Sequence, residues 1–243
     1  MPTNTPKIGS LTQATYLRLR QDLLACVLRP GDRLKVNELS LRYEVSLGAV
    51  REALARLSAE GLVIAEPQRG FRVAPISRAE LQDLTMVRCR IEEMCLRRAI
   101  ELGDLAWEAG IVAAFHRLSK TPPRRGAVDG ETTPGVDGLT PPAVDGWDQG
   151  HASFHEALVA GCDSPWLLRL REQLYAQSHR YQRLSLSMTT PLRDAQSEHA
   201  ALMDAVLGRD ADLAAQRMTE HLKRTAEIVL AACNVEWAEA AVR

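Results

Sequence analysis

The chain has 243 residues, of which 46% are apolar, 25% charged and 5% aromatic, the profile of a soluble globular chain too large for a single tiny module. It holds no apolar run of the roughly eighteen residues that a membrane span needs, and its opening, MPTNTPKIGSLTQ, lacks the basic and apolar regions of a signal peptide; the expected location is the cytoplasm. The net charge of −1 conceals an asymmetry: residues 1–76 hold eleven Lys and Arg against seven Asp and Glu, and the acidic excess lies in residues 77–243, a footprint suited to a nucleic-acid-binding head on a separate body.

In chain order, Leu11 to Leu28 carries a helical apolar stripe (Tyr16, Leu19, Leu23, Leu24, Val27), which Arg29-Pro30-Gly31-Asp32 is expected to stop. A short helix is expected from Asn37, a good N-cap, to Tyr43. Ser46 then caps another helix carrying Val50, Leu54 and Leu57, with Gly61 as its stop. Two β-rich runs follow, Leu62–Ala65 and Phe71–Val73, joined by the Glu66–Gly70 segment as an exposed hairpin tip.

From Ser77-Arg78-Ala79-Glu80, a capping box, every periodic segment is helical. Helices are expected near 77–102, 104–119, 147–162, 165–187, 192–207 and 211–233, with Pro165, Pro191 and Asp210 as start signals. Residues 120–146 hold five of the twelve prolines and three Val-Asp-Gly copies, which predicts a flexible Pro/Gly-rich loop. The expected architecture is mainly α: a winged helix-turn-helix of three helices plus a β-hairpin over residues 1–76, then an all-α antiparallel bundle over 77–243. Five scattered cysteines (Cys26, Cys89, Cys95, Cys162, Cys233) without a C-x-x-C pair are expected to be buried thiols. Trp107, Trp147, Trp166 and Trp237 are expected to be packing residues rather than a base-stacking platform.

In the winged-helix plan, the helix opened by Ser46 enters a major groove and the hairpin tip reaches a neighbouring minor groove. Ser46, Gly48 and Arg51 would then face DNA from the helix, and Gln68, Arg69 and Gly70 from the tip; a lone Arg51 or Arg69 is equally well a solvated surface charge. The order of Arg29-Pro30-Gly31-Asp32-Arg33-Leu34, Glu38-Leu39-Ser40, Val45-Ser46, Val50-Arg51-Glu52-Ala53-Leu54, Glu60-Gly61-Leu62-Val63 and Arg69-Gly70-Phe71-Arg72-Val73 resembles the winged-helix domain of the GntR family of bacterial transcription regulators. The resemblance implies DNA contact at Ser46, Arg51, Gln68, Arg69 and Gly70. Two positions depart from it: Leu47-Gly48 follows the Ser where an Arg is frequent, and Asn37 stands where another contact arginine is frequent.

All six histidines lie in the all-α half, and four of them are suggestively arranged, with His151 and His155 at i,i+4 on one helix and His199 and His221 on the last two. Imidazoles from three helices can converge on one transition metal, and each can equally be a packed histidine bonded to a carbonyl. Asp148, at i−3 from His151, is a ligand, an outer partner or neither. The segments His151–Leu158, Ser164–Leu168, Glu198–Leu202, Arg209-Asp210 and Glu220-His221-Leu222 are similar to the FCD ligand-binding domain of the FadR branch of that family. In such domains an Asp and three His hold a divalent metal and a small carboxylate completes the site. The resemblance places His155, His199 and His221 at ligand positions and puts His151 where the Asp is usual, a quartet favouring Zn²⁺ or Ni²⁺. It also puts Arg88 facing the effector, although Arg88 can instead pair with Glu92 at i+4 on the helix surface. His116 and His179 match no ligand position.

These observations point to a cytoplasmic homodimer that binds a pseudo-palindromic operator in double-stranded DNA, most simply as a repressor, and whose bundle holds a divalent metal and a small organic acid. The alternatives are a metal-dependent helical hydrolase with Glu156, Glu198 or Glu220 as base, and the same regulator with a metal-free effector pocket.

Overall fold

A computed structural model describes residues 8–121, 146–185 and 194–232 of the chain. The described residues divide into two compact units, one ending at Ser77 and one beginning at Arg78. The expected mobile loop lies outside the described residues apart from its ends, as do Pro191, Cys233 and Trp237.

In the first unit, α1 (Ile8–Leu24), α2 (Val36–Tyr43) and α3 (Leu47–Ala59) pack around Leu19, Leu23, Leu39, Val50, Leu54 and Leu57. Burying each such side chain is worth roughly 1.5–3 kcal/mol. Inside that core Tyr43 donates its hydroxyl to buried Asp22, which Arg42 also approaches at 3.5 Å. Three strands follow the order β1-β3-β2: β2 (Val63–Glu66) and β3 (Gly70–Val73) form the expected antiparallel hairpin, and β1 (Arg33–Leu34) pairs with β3 through Arg33↔Arg72 and Leu34↔Phe71.

Three local expectations are corrected. α1 ends at Leu24, ahead of Pro30, because Cys26 turns left-handed (φ 55°) and the amide of Val27 closes back onto the carbonyl of Asp22. Asn37 lies inside α2, whose N-cap is Lys35 with no side-chain cap bond. β1 escaped notice because two residues carry no alternation to read. Ser46 is the α3 N-cap as expected, its hydroxyl oxygen accepting from Ala49 N at 3.2 Å.

The second unit is all helical: α4 (Arg78–Leu102), α5 (Leu105–Lys120), α6 (Gly146–Val159), α7 (Pro165–Ser185), α8 (Ala195–Leu207) and α9 (Ala211–Ala232). α4 lies against α6, α7 and α9, while α5 packs on α6 and α8. Their shared core includes Leu96, Ile111, Phe154, Leu158, Leu202, Val206 and Met218. Trp107 packs into it and donates its indole N–H to the carbonyl of Ala157 at 2.9 Å, and Trp147 is half buried. Trp166 does not pack: it is 69% exposed and partnered by Arg169 over its ring. Cys89, Cys95 and Cys162 are buried free thiols, whereas Cys26 is half buried. Among the described residues no helix is long and apolar enough to cross a membrane.

Gly161, in the turn after α6, brings its backbone onto α4, where an added Cβ would lie 2.9 Å from the carbonyl oxygen of Ala99 and 3.2 Å from Cα of Gly103. Both obstacles are backbone and cannot rotate away. Gly161→Ala should therefore lower the unfolding free energy by about 1–3 kcal/mol, read as an earlier denaturant midpoint at unchanged slope.

Candidate metal centre and nucleic-acid interface

The bundle gathers four histidines that lie up to seventy positions apart in the chain. His151 and His155, one turn apart on α6, face His199 on α8 and His221 on α9, and one ring nitrogen from each lies within 4.8 Å of the others. Ring centroids are 4.5 Å apart for His151 and His155, 4.7 Å for His199 and His221, and 5.0 Å for His155 and His221. All four are buried. Trp147 stacks on His151 at 4.8 Å, and Phe154 lies edge-on to His155 and His199.

Burial, reinforced by the neighbouring imidazoles and Arg88, holds His151 and His155 well below the ordinary imidazole range. Both rings are thus neutral, with a lone pair available at one nitrogen. Neither ring nitrogen of His155 has a hydrogen-bond partner among the described residues. His221 is oriented from outside the cluster, its Nδ1 lying 3.0 Å from Glu198 Oε2, while Arg224 holds the other carboxylate oxygen at 3.2 Å. The carboxylate can only accept, so Nδ1 carries the proton and Nε2 is left as donor atom. Asp148 is not among the gathered groups: it pairs with Arg183 at 3.1 Å and raises the affinity of half-buried His179 for a proton, against the stronger lowering by burial. His116 is exposed, and His179 stacks on Tyr175.

Arg88 is 4% exposed, which removes the surface-pair alternative but keeps its partner: Nη2 is 3.5 Å from Glu92 Oε1. Its guanidinium lies over Tyr175, and its Nε is buried without a hydrogen-bond partner among the described residues. It lines a narrow cleft of about 20 Å³ together with Thr85, Ser178, Gln182 and Thr225. Glu92, fully buried, accepts from Arg171 Nε at 2.8 Å, and Arg171 Nη2 donates to the backbone carbonyl of His155 at 2.9 Å. Arg88, Glu92, Arg171 and the His155 backbone thus form one chain of contacts. Arg171 and Tyr175 went unnoticed in the sequence because an arginine and a tyrosine on a polar helix resemble many others. Of the candidate bases, Glu198 is engaged with His221 and Arg224, and Glu156 and Glu220 are exposed.

In the first unit, Ser46, Gly48 and Arg51 are exposed along the start of α3, and Gln68, Arg69 and Gly70 are exposed at the hairpin tip. Ser46 accepts the cap bond and still has its hydroxyl proton to donate. The tip is a tight turn closed by Arg69 N to Glu66 O at 3.0 Å, with Gln68 at φ 61° after Pro67. A left-handed non-glycine residue costs roughly 1–2 kcal/mol, a strain typical of positions held for function.

Comparison with known proteins follows the same division. Residues 11–73 match the model of bacterial regulatory proteins of the gntR family, and residues 83–224 match the FCD domain. The chain is 38% identical to the uncharacterised HTH-type transcriptional regulator BphR of Paraburkholderia xenovorans (strain LB400), over 94% of this chain and 89% of that one. It is 36% identical to the HTH-type transcriptional repressor GlaR of Escherichia coli (strain K12), over 85% and 90%. The fold of E. coli McbR/YncC superposes with a TM-score of 0.72 at 20% identity, covering 91% of this chain and 98% of that one.

The Glu92 carboxylate contacts two buried guanidiniums and offsets one of their two charges, and removing it leaves both without a counter-charge. Glu92→Ala should cost about 3–5 kcal/mol in denaturant unfolding. Glu92→Gln, which keeps a hydrogen-bonding oxygen and not the charge, should recover only part of that loss.

Proposed function

Because the chain belongs to the gntR family of bacterial regulatory proteins and carries the FCD domain, we propose that it is a homodimeric, metabolite-responsive repressor whose helical unit holds a divalent transition metal and a small carboxylate. Membership makes the chain a DNA-binding transcriptional regulator rather than an enzyme; the metal, the acid and the direction of regulation are the proposed part. The observation that carries the metal is the buried quartet His151, His155, His199 and His221. A buried imidazole with both nitrogens unpartnered, as at His155, is costly unless a Lewis acid takes a lone pair. Four neutral nitrogen donors and no carboxylate favour Zn²⁺, with Ni²⁺ the next choice, over an oxygen-seeking cation. When bound, such an ion would supply two uncompensated positive charges that attract an anion.

In this reading Arg88 orients the carboxylate through its unpartnered Nε, and Glu92 with Arg171 keeps Arg88 from turning away. Glu198 fixes the His221 tautomer. α4 carries Arg88 and starts directly after the segment Ala74–Ser77 that joins the two units in the chain, so an acid favouring one placement of α4 biases the heads. The heads bind two half-sites of a pseudo-palindromic operator, with Ser46, Gly48 and Arg51 in the major groove and Gln68, Arg69 and Gly70 at the minor groove. The repressor assignment is supported by GlaR, named a repressor.

Two measurements test this. Protein purified in parallel as parent and as His155→Ala should differ in bound metal by elemental analysis, with about one zinc or nickel ion per chain in the parent; equal content would overturn the metal site and favour an effector held directly by histidines. Operator affinity titrated against a panel of small mono- and dicarboxylates should change for at least one acid by about fivefold or more and lose that response in Arg88→Ala. An affinity indifferent to every acid would overturn the sensing role.

A further inference from the structure

The outward face of α3 is set by what its other face buries. Val50, Ala53, Leu54 and Leu57 are in the core, leaving Leu47, Gly48, Arg51, Glu52 and Ala55 exposed at helical spacing. In the first turn of this face, Ser46 has its oxygen engaged with Ala49 N, and Gly48 has no side chain; a Cβ there would meet only Ser46 Oγ, at 3.8 Å. Leu47 therefore stands alone at the leading edge, 41% exposed, one helical turn before Arg51. An exposed leucine is ordinary on a surface. Its place at the front of a recognition helix, where side chains meet base edges, is what gives this one meaning.

We propose that Leu47 is a specificity-determining residue that reads the C5-methyl group of a thymine in each half-site. The inference rests on the DNA-binding role of α3. The thymine methyl is the one apolar group on the major-groove edge of the four bases, and beside Leu47 the helix start offers only the Ser46 hydroxyl, whose oxygen is already held by Ala49 N. Gly48 lets the helix start approach closely, since nothing projects beside the leucine.

The test uses the full-length protein and a duplex enriched by it from a random-sequence pool. Each thymine of that duplex is replaced singly by deoxyuridine, which removes the methyl and leaves every hydrogen-bonding group in place. For the parent, one thymine per half-site should weaken binding by about fourfold when so replaced. Leu47→Ala should bind more weakly and be indifferent to that replacement, while Leu47→Met should keep the sensitivity. Circular dichroism should show both variants folded, since Leu47 is outside the core. If parent and Leu47→Ala respond alike at every thymine, the leucine does not read the methyl and the inference falls while DNA binding stands. If no duplex is enriched by the parent, the DNA-binding role of α3 fails, and this inference fails with it.

Discussion

The second unit depends on how four imidazoles are held together in an apolar interior. Burial suppresses protonation of His151 and His155, and two or more imidazolium ions at ring separations of 4.5–6.0 Å would repel one another strongly in such surroundings. His151 and His155 are therefore held there as neutral donors. The apolar contacts of Phe154, Leu158, Leu202, Val206 and Met218 hold α6, α8 and α9 in the register that brings the rings together. The aromatic walls from Trp147 and Phe154 and the outer carboxylate of Glu198 serve the same arrangement, excluding water and pinning one ring.

Beside this histidine cluster the bundle places a strongly charged one. Arg88, Arg171 and Glu92 are buried together, and the cation excess is one guanidinium whose Nε finds no partner among the described residues. Charge left over in a low-dielectric interior is expensive, and natural proteins retain it where an anion completes the set. The contact of Arg171 with the carbonyl of His155 ties the charged cluster and the histidines into one polar core. An anion bridging Arg88 and an ion held by the histidines would satisfy both groups at once, which gives a physical basis for sensing an acid.

The winged-helix unit solves a different problem, since its functional face must stay exposed and its shape must come from the other side. Leu19, Leu23, Val50 and Leu54 hold α1 against α3. The outer face of α3 is then free to vary without loss of stability, and here it carries Leu47-Gly48 where a charged residue would fit equally well. At the hairpin tip a strained Gln68 is tolerated because the β2–β3 ladder from Val63↔Val73 to Glu66↔Gly70 fixes both ends of the turn.

Local signals sufficed for most of the fold: the apolar periods, the Ser46 cap, the hairpin residues and the helical second half all act over a few neighbours and were legible in the sequence. The candidate metal donors were legible only through the family resemblance, which matches His155, His199 and His221 and puts His151 where an Asp is usual. Their actual convergence, the exclusion of Asp148 through its pairing with Arg183, the burial of Arg88 and the roles of Arg171 and Tyr175 were decided by tertiary packing. So were the early end of α1, the two-residue strand β1 and the exposure of Trp166. Each of these depends on which distant side chain arrives nearby, and separation in sequence carries no information about that until the helices have chosen their neighbours.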